Sequence, residues 1–161
     1  MRIIFFLLLI LINFSFVNSD TLICDFEEVH KNSQTQIGQI LISSDSLRYE
    51  YYEENLYTAL FVNQKLFIIE NFDNNKVQEI AQSNILIESL LKISNDYPNI
   101  SEQYNINEMM IKTEKSEKGY LKRISIVSPE YNLSVYFINC ERSPVDRMYF
   151  NFNPFIKYVR N

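Results

Sequence analysis

Tryptophan is absent from the 161-residue chain, histidine occurs once, and glycine and cysteine occur twice each. These shortages exclude several chemistries. The lone histidine, His30, and two cysteines near opposite ends, Cys24 and Cys140, cannot supply a zinc site of familiar spacing, so no metal ligands are assigned. Gly38 and Gly119 are too few to build a phosphate-cradling loop, and no Gly-x-Ser-x-Gly elbow occurs. No cofactor is expected. Positive charge is also short: 15 Lys and Arg stand against 20 Asp and Glu, a net charge of −5. That balance excludes nucleic acid as a partner, because neutralising phosphates needs a basic face and no basic stripe occurs. The lack of Trp and Gly beside an excess of Asn, Ile and Lys reads as the codon bias of an AT-rich genome and carries no functional information.

What is present begins with an apolar leader. Arg2 supplies one positive charge, Ile3 to Ile12 is uninterruptedly apolar, and Val17-Asn18-Ser19 places small residues where a signal peptidase reads them. This is the pattern of a secretory signal, residues 1–19, cut after Ser19. The alternative is an uncleaved anchor, but a span needs about 20 apolar residues and Asn13 and Ser15 interrupt the run. Ile23 is too bulky to precede a lipidated Cys24. Residues 20–161 then form a single domain, since roughly 140 residues support one modest core. An exported chain meets an oxidising compartment, which makes Cys24 and Cys140 disulfide candidates, with two unpaired core cysteines as the alternative.

From Leu22 to Ile80, β-branched and aromatic residues cluster in short runs, which predicts strands at 22–30, 36–43, 46–53, 57–63, 65–70 and 75–80. Asn tolerates positive φ and substitutes for the missing glycines in turns such as Asn63-Gln64, so sequential strands pair antiparallel. In 46–53, Leu47, Tyr49 and Tyr51 share one greasy face while Arg48, Glu50 and Tyr52 share a wet one. The period then changes. Leu86, Ile87, Leu90, Leu91 and Ser94 recur at helical spacing, Ser83 or Asn84 can cap the start, and Asn95 to Pro98 ends it. Three turns do not persist alone in water, so this helix lies on the sheet. Residues 99–108 read as irregular, 109–115 as a candidate strand, and 119–127, 131–139 and 146–153 as strands delimited by Pro129 and Pro144.

Side-chain chemistry for catalysis is not assembled. Cys24 and His30 share a strand face but stand about 20 Å apart at ~3.3 Å per residue, and His30 reads as an exposed strand-end residue. Glu27-Glu28 and Glu53-Glu54 point to opposite faces in each pair and read as solvated surface. Tyr49, Tyr51, Tyr52, Tyr57, Phe61 and Phe67 are either ordinary core or the wall of an apolar slot. No catalytic residue is assigned and no enzymatic activity is expected.

Gly38-Gln-Ile-Leu-Ile, Leu47-Arg-Tyr-Glu-Tyr, Leu60-Phe-Val-Asn-Gln-Lys-Leu-Phe-Ile-Ile and Asn74-Asn-Lys-Val-Gln occur in that order. The succession resembles LolA, the periplasmic outer-membrane lipoprotein carrier family. Ser83 to Asn95 falls where the family's lid helix ends in Leu-Leu, and Phe150-Asn-Phe-Asn-Pro154 with Val159 is similar to the family's closing stretch. The likeness spans most of the mature chain and is carried by pattern. It implies a mainly β fold, a curved antiparallel sheet or incomplete β-barrel with a helical lid. Between sheet and lid would lie an acyl cavity, faced by Ile40, Ile42, Leu47, Tyr49 and Tyr51 from the sheet and by Leu86, Leu90 and Leu91 from the helix.

Function follows from the same resemblance. It implies a monomeric periplasmic carrier without catalysis, which accepts lipoprotein or lipid acyl chains from an inner-membrane donor complex and releases them to an outer-membrane acceptor. A buried methylene is worth about 0.8 kcal/mol, so acyl chains need a dry slot to cross water. Three departures stand out: Ser44-Asp45 replaces the family's lid-latching Arg-Pro, Arg48 matches a different family arginine, and the first helix is missing. They leave the cavity more open, filled by the chain's own side chains, or shaped for another lipid. The alternative function is an envelope interaction or sensor module in which the same sheet and helix close to a solid core.

Overall fold

The computed structural model describes residues 21–152, except 33, 74–75, 82–83, 98 and 129–131. The leader, its cleavage point, Pro129 and the resemblance's last residues, Pro154 and Val159, lie outside them. Six strands come first: β1 Thr21–His30, β2 Thr35–Ile42, β3 Leu47–Tyr51, β4 Tyr57–Val62, β5 Lys65–Glu70 and β6 Val77–Ile80. The helix α1, Ile85–Asn95, follows, and then β7 Gln103–Ile106, β8 Met109–Lys115, β9 Leu121–Val127 and β10 Asn132–Ser143. All ten strands join one antiparallel sheet in the order β6-β5-β4-β3-β2-β1-β10-β9-β8-β7. Two meanders thus meet at a seam where β10 returns beside β1, and α1 links the two edge strands.

The turns explain how a chain with so few glycines makes tight hairpins. Asn63-Gln64 and Asn107-Glu108 both take positive φ, at 52° and 63° and at 49° and 65°, the two-residue turn that matches strand twist. α1 starts where its sequence says: Asn84 Oδ1 accepts from the Leu86 and Ile87 amides at 2.9 and 3.4 Å. Its buried residues, Leu86, Ile87, Ser89, Leu90 and Ile93, face the sheet. There they join one cluster that runs from Leu66 on β5 through Ile40, Tyr49 and Phe26 to Ile124 and Ile111 on the far meander.

Gly38 is closely crowded on that face. It stands in register between Phe26 on β1 and Tyr51 on β3. A Cβ there would lie 2.3 Å from the Phe26 ring and 2.1 Å from the Glu50 carbonyl oxygen. The missing side chain is what lets Phe26 reach across β2 and meet Tyr51 edge-on at 5.4 Å. At the seam, Cys24 and Cys140 form a disulfide across adjacent strands, with Cα atoms 4.2 Å apart and a sequence separation of 116. β10 bulges here, with Asn139 at φ 52° and the register slipping between Ile23 and Asp25.

Several expectations are corrected. The sheet is open, neither closed nor strongly curled. Curvature comes from bulges and glycine kinks, and these strands contain one glycine and two register shifts. Residues 99–108 are not irregular throughout, because β7 pairs with β8 there. The predicted strand at 146–153 is instead a 3-10 turn, Arg147–Phe150, begun by Asp146, whose carboxylate accepts from the Met148 amide at 2.9 Å. Strand β10 runs on through its bulge to Ser143 and stops before Pro144.

The face of β3 expected to be wet is also covered. Arg48 and Glu50 are 1% and 3% exposed. Arg48 Nε and Nη2 both donate to Glu50 Oε2 at 2.7 Å, and Nη1 donates to the carbonyls of Asn151 at 3.1 Å and Tyr149 at 3.4 Å. The segment after β10 therefore lies over β3 and β4, and Phe152 meets Phe67 of β5 edge-on at 4.8 Å.

Candidate functional site

A helix on a sheet leaves a groove along whichever flank is less tightly held. Through Glu88 and Lys92, α1 is fastened to the β7–β8 hairpin. Asn107 Nδ2 donates to Glu88 Oε2 at 2.7 Å, and the Lys92 ammonium stands 5.8 Å from the centre of the Tyr104 ring. Toward β5 and β6, among the described residues, no polar side-chain contact joins helix to sheet. A groove of about 340 Å³ opens on that side. Phe61, Leu66, Ile80, Ile87 and Leu91 give it an apolar lining, and Lys65, Glu79 and Glu88 contribute polar walls. The Lys65–Glu79 ion pair, 3.1 Å long and exposed, spans β5 and β6 beside it.

All eight residues expected to line an acyl cavity lie on this helix-covered face. Ile40, Ile42, Leu47, Tyr49, Tyr51, Leu86 and Leu90 are buried in the common core, and Leu91 is half-buried on the groove wall. Ile40, Leu47 and Leu90 have 0% exposure, so no water-sized void touches them. The open space is therefore displaced toward β5 and β6. Its apolar surface is formed by Phe61, named from the sequence among the aromatics of a possible slot wall, and by Leu66, Ile80 and Ile87, which were not among the residues expected to line a cavity. Their signal was available: Ile87 belongs to the helix period, and Phe61, Leu66 and Ile80 share one face in the paired registers of β4, β5 and β6.

The same face holds a buried polar cluster that reading from the sequence placed in solvent. Glu28 is 3% exposed, not solvated surface. Its Oε2 accepts from the Tyr49 and Tyr51 hydroxyls at 2.8 and 2.6 Å, and its Oε1 lies 3.0 Å from His30 Nε2. His30 is half-buried, with Gln36 Oε1 at 3.2 Å from the same nitrogen. Burial first, and then the Glu28 charge, hold the Tyr49 and Tyr51 phenols far above their ordinary pKa, and burial raises Tyr57 as well. The carboxylate's partners make it a cross-strand tie from β1 to β3, and these residues do not line the groove. Cys24 is held in the disulfide and His30 pairs with Glu28, so the two make no nucleophile–base arrangement.

Among the described residues no group of three or more potential metal ligands occurs, and no helix is long and apolar enough to cross a membrane. Among the described residues, fold and groove define a mainly β protein of one open antiparallel sheet with one α-helix across one face. Beyond that class, neither a family model nor a curated protein matches the chain.

Proposed function

We propose that the protein is a non-catalytic, LolA-like carrier that holds an acyl chain of a lipoprotein or other lipid in the groove between α1 and strands β4–β6. The observation that carries this reading is the apolar groove itself, lined by Phe61, Leu66, Ile80, Ile87 and Leu91 beside a helix whose Glu88, on the groove wall, is hydrogen-bonded to Asn107 of the β7–β8 turn. Glu88, Asn107, Lys92 and Tyr104 then take the part that an Arg-Pro latch plays in the family. At about 340 Å³ the groove is near the lower end of ligand pockets, ~300–1,000 Å³, which suits one chain rather than several. The Cys24–Cys140 disulfide supports an extracytoplasmic compartment, and the periplasm is the compartment in which such a carrier would pass acyl chains from an inner-membrane donor to an outer-membrane acceptor.

Native mass spectrometry of the mature protein, residues 20–161, after incubation with a long-chain fatty acid tests this. One bound chain is expected, and Leu91→Arg weakens binding by about tenfold or more while the half-exposed position leaves stability nearly unchanged. A bare polypeptide mass at every lipid concentration rejects the carrier. The second reading, a solid interaction module, is favoured by the 0% exposure of Ile40, Leu47 and Leu90 and would take its place.

A further inference from the structure

Phe61 and Val62 are neighbours on β4 and point to opposite faces. Phe61 lines the groove, and Val62 lines a separate pocket of about 160 Å³ beyond the tip of the β4–β5 hairpin. Four parts of the chain converge there: the start of β1 at Thr21, the β2–β3 turn at Ser44 and Asp45, the hairpin tip at Asn63, and the 3-10 turn at Arg147 and Phe150. The space equals that of about five water molecules in the liquid, too small for a long acyl chain and sufficient for a small polar group.

Its electrostatics are specific. Asp45 is anchored, its Oδ1 accepting from Ser43 Oγ at 3.2 Å and Ser46 Oγ at 3.0 Å. Arg147, exposed on the 3-10 turn that Asp146 caps, has no partner among the described residues. An anionic and a cationic side chain thus line one small pocket without pairing with each other. A simple anion entering it would meet Asp45, and a simple cation would meet Arg147. A molecule carrying both charges a few bonds apart satisfies both at once. Arg147 is suited to a phosphate by its forked donors, Ser44 and Asn63 add neutral donors, and Phe150 and Val62 supply an apolar wall for connecting methylenes.

We propose that this pocket binds a small phosphate–ammonium zwitterion of the phosphoethanolamine type, with Arg147 on the phosphate and Asp45 on the ammonium. The site is independent of what the groove holds. Its ligand comes either as a free solute or as a lipid headgroup.

Calorimetric titration of the mature protein with O-phosphoethanolamine, inorganic phosphate and ethanolamine tests the assignment. The zwitterion should bind at least about tenfold more tightly than either half, and R147Q and D45N should each weaken it by about tenfold or more. D45N keeps the oxygen that accepts from Ser43 and Ser46, and Arg147 is exposed, so both variants should retain the parent unfolding midpoint. Micelles of a short-chain phosphatidylethanolamine and of the matching phosphatidylglycerol identify the source. Binding of the first alone, lost in the same variants, means a headgroup, whereas binding of the free zwitterion alone means a solute. Phosphoethanolamine that binds no better than phosphate, or that binds R147Q and D45N unchanged, overturns the proposal.

Discussion

Strands β3 and β8 are written in the same alphabet and live in different surroundings. Leu47-Arg-Tyr-Glu-Tyr51 and Ile111-Lys-Thr-Glu114 both alternate apolar or β-branched residues with charged ones. In β3 every residue is buried, whereas in β8 Ile111 and Thr113 are buried and Met110, Lys112 and Glu114 are exposed. The charged pair of β3, Arg48–Glu50, is sealed under the segment that follows β10. The pair that β8 makes with its neighbour, Glu114–Arg123, stands largely in water at 3.1 Å. Alternation thus reports which side chains share a face and leaves open whether that face is wet.

The largest expected effect concerns the seam between the two meanders. Reducing Cys24–Cys140 should cost about 4–5 kcal/mol in the chain-entropy account. Hydrogen exchange should then show the meander that contains β8 losing protection before β2–β4. Loss of protection in both at one rate would mean that the two regions form a single cooperative unit. Next comes Arg48→Met, which removes the cationic partner of the buried Glu50 carboxylate and should cost about 3–5 kcal/mol in urea unfolding. A cost no larger than that of Arg123→Met would erase the contrast between β3 and β8.

Gly38→Ala should cost at least roughly 1–3 kcal/mol, because the added Cβ collides with the Glu50 carbonyl of β3 as well as the Phe26 ring, and both must shift. Near-ultraviolet circular dichroism should report the displaced aromatic stack. Alkaline pH acts on the same face. Unfolded tyrosines release protons near pH 10, while the buried Tyr49 and Tyr51 keep theirs, so the unfolded state binds fewer protons there. Their contribution is complete below about pH 10 and declines as pH rises beyond it. Tyr51→Phe should flatten that decline, and an unaltered pH profile would refute the linkage. The smallest effect belongs to Arg123→Ala, within about 1 kcal/mol and diminished by salt.

Local signals were readable wherever a residue's role depends on its immediate neighbours. The Asn63-Gln64 hairpin, the Asn84 cap and the apolar stripe of α1 are of this kind. β7 was missed because it is a four-residue edge strand with only Tyr104 buried, too short for its alternation to show. The final 3-10 turn was read as a strand because Met148, Tyr149, Phe150 and Phe152 have strand-like composition, while Asp146 caps a turn instead. Burial of Arg48 depends on backbone carbonyls about a hundred positions away, and carbonyls leave no mark in a sequence. Glu28 likewise needs the registers of β1, β2 and β3 before Tyr49 and Tyr51 can be seen to converge on it. The groove was displaced from its expected place for a similar reason, since the packing of Ile40, Leu47 and Leu90 emerges only once the helix is seated.

The position of β1 has a consequence for how the molecule is made. It is the first of the ten strands to leave the ribosome and it lies inside the sheet, with β2 on one side and β10 on the other. A chain synthesised from its N-terminus can pair β1 with β2 early, but the other ladder of β1 stays open until residues 132–143 arrive. Through that interval the nascent protein carries a long unpaired edge, the kind of surface that captures other strands. Closure is a long-range contact and therefore a slow one. Because Cys24 can meet its partner only after β10 has docked, the disulfide works as a timestamp: a free Cys24 thiol marks a chain still waiting for its last strand.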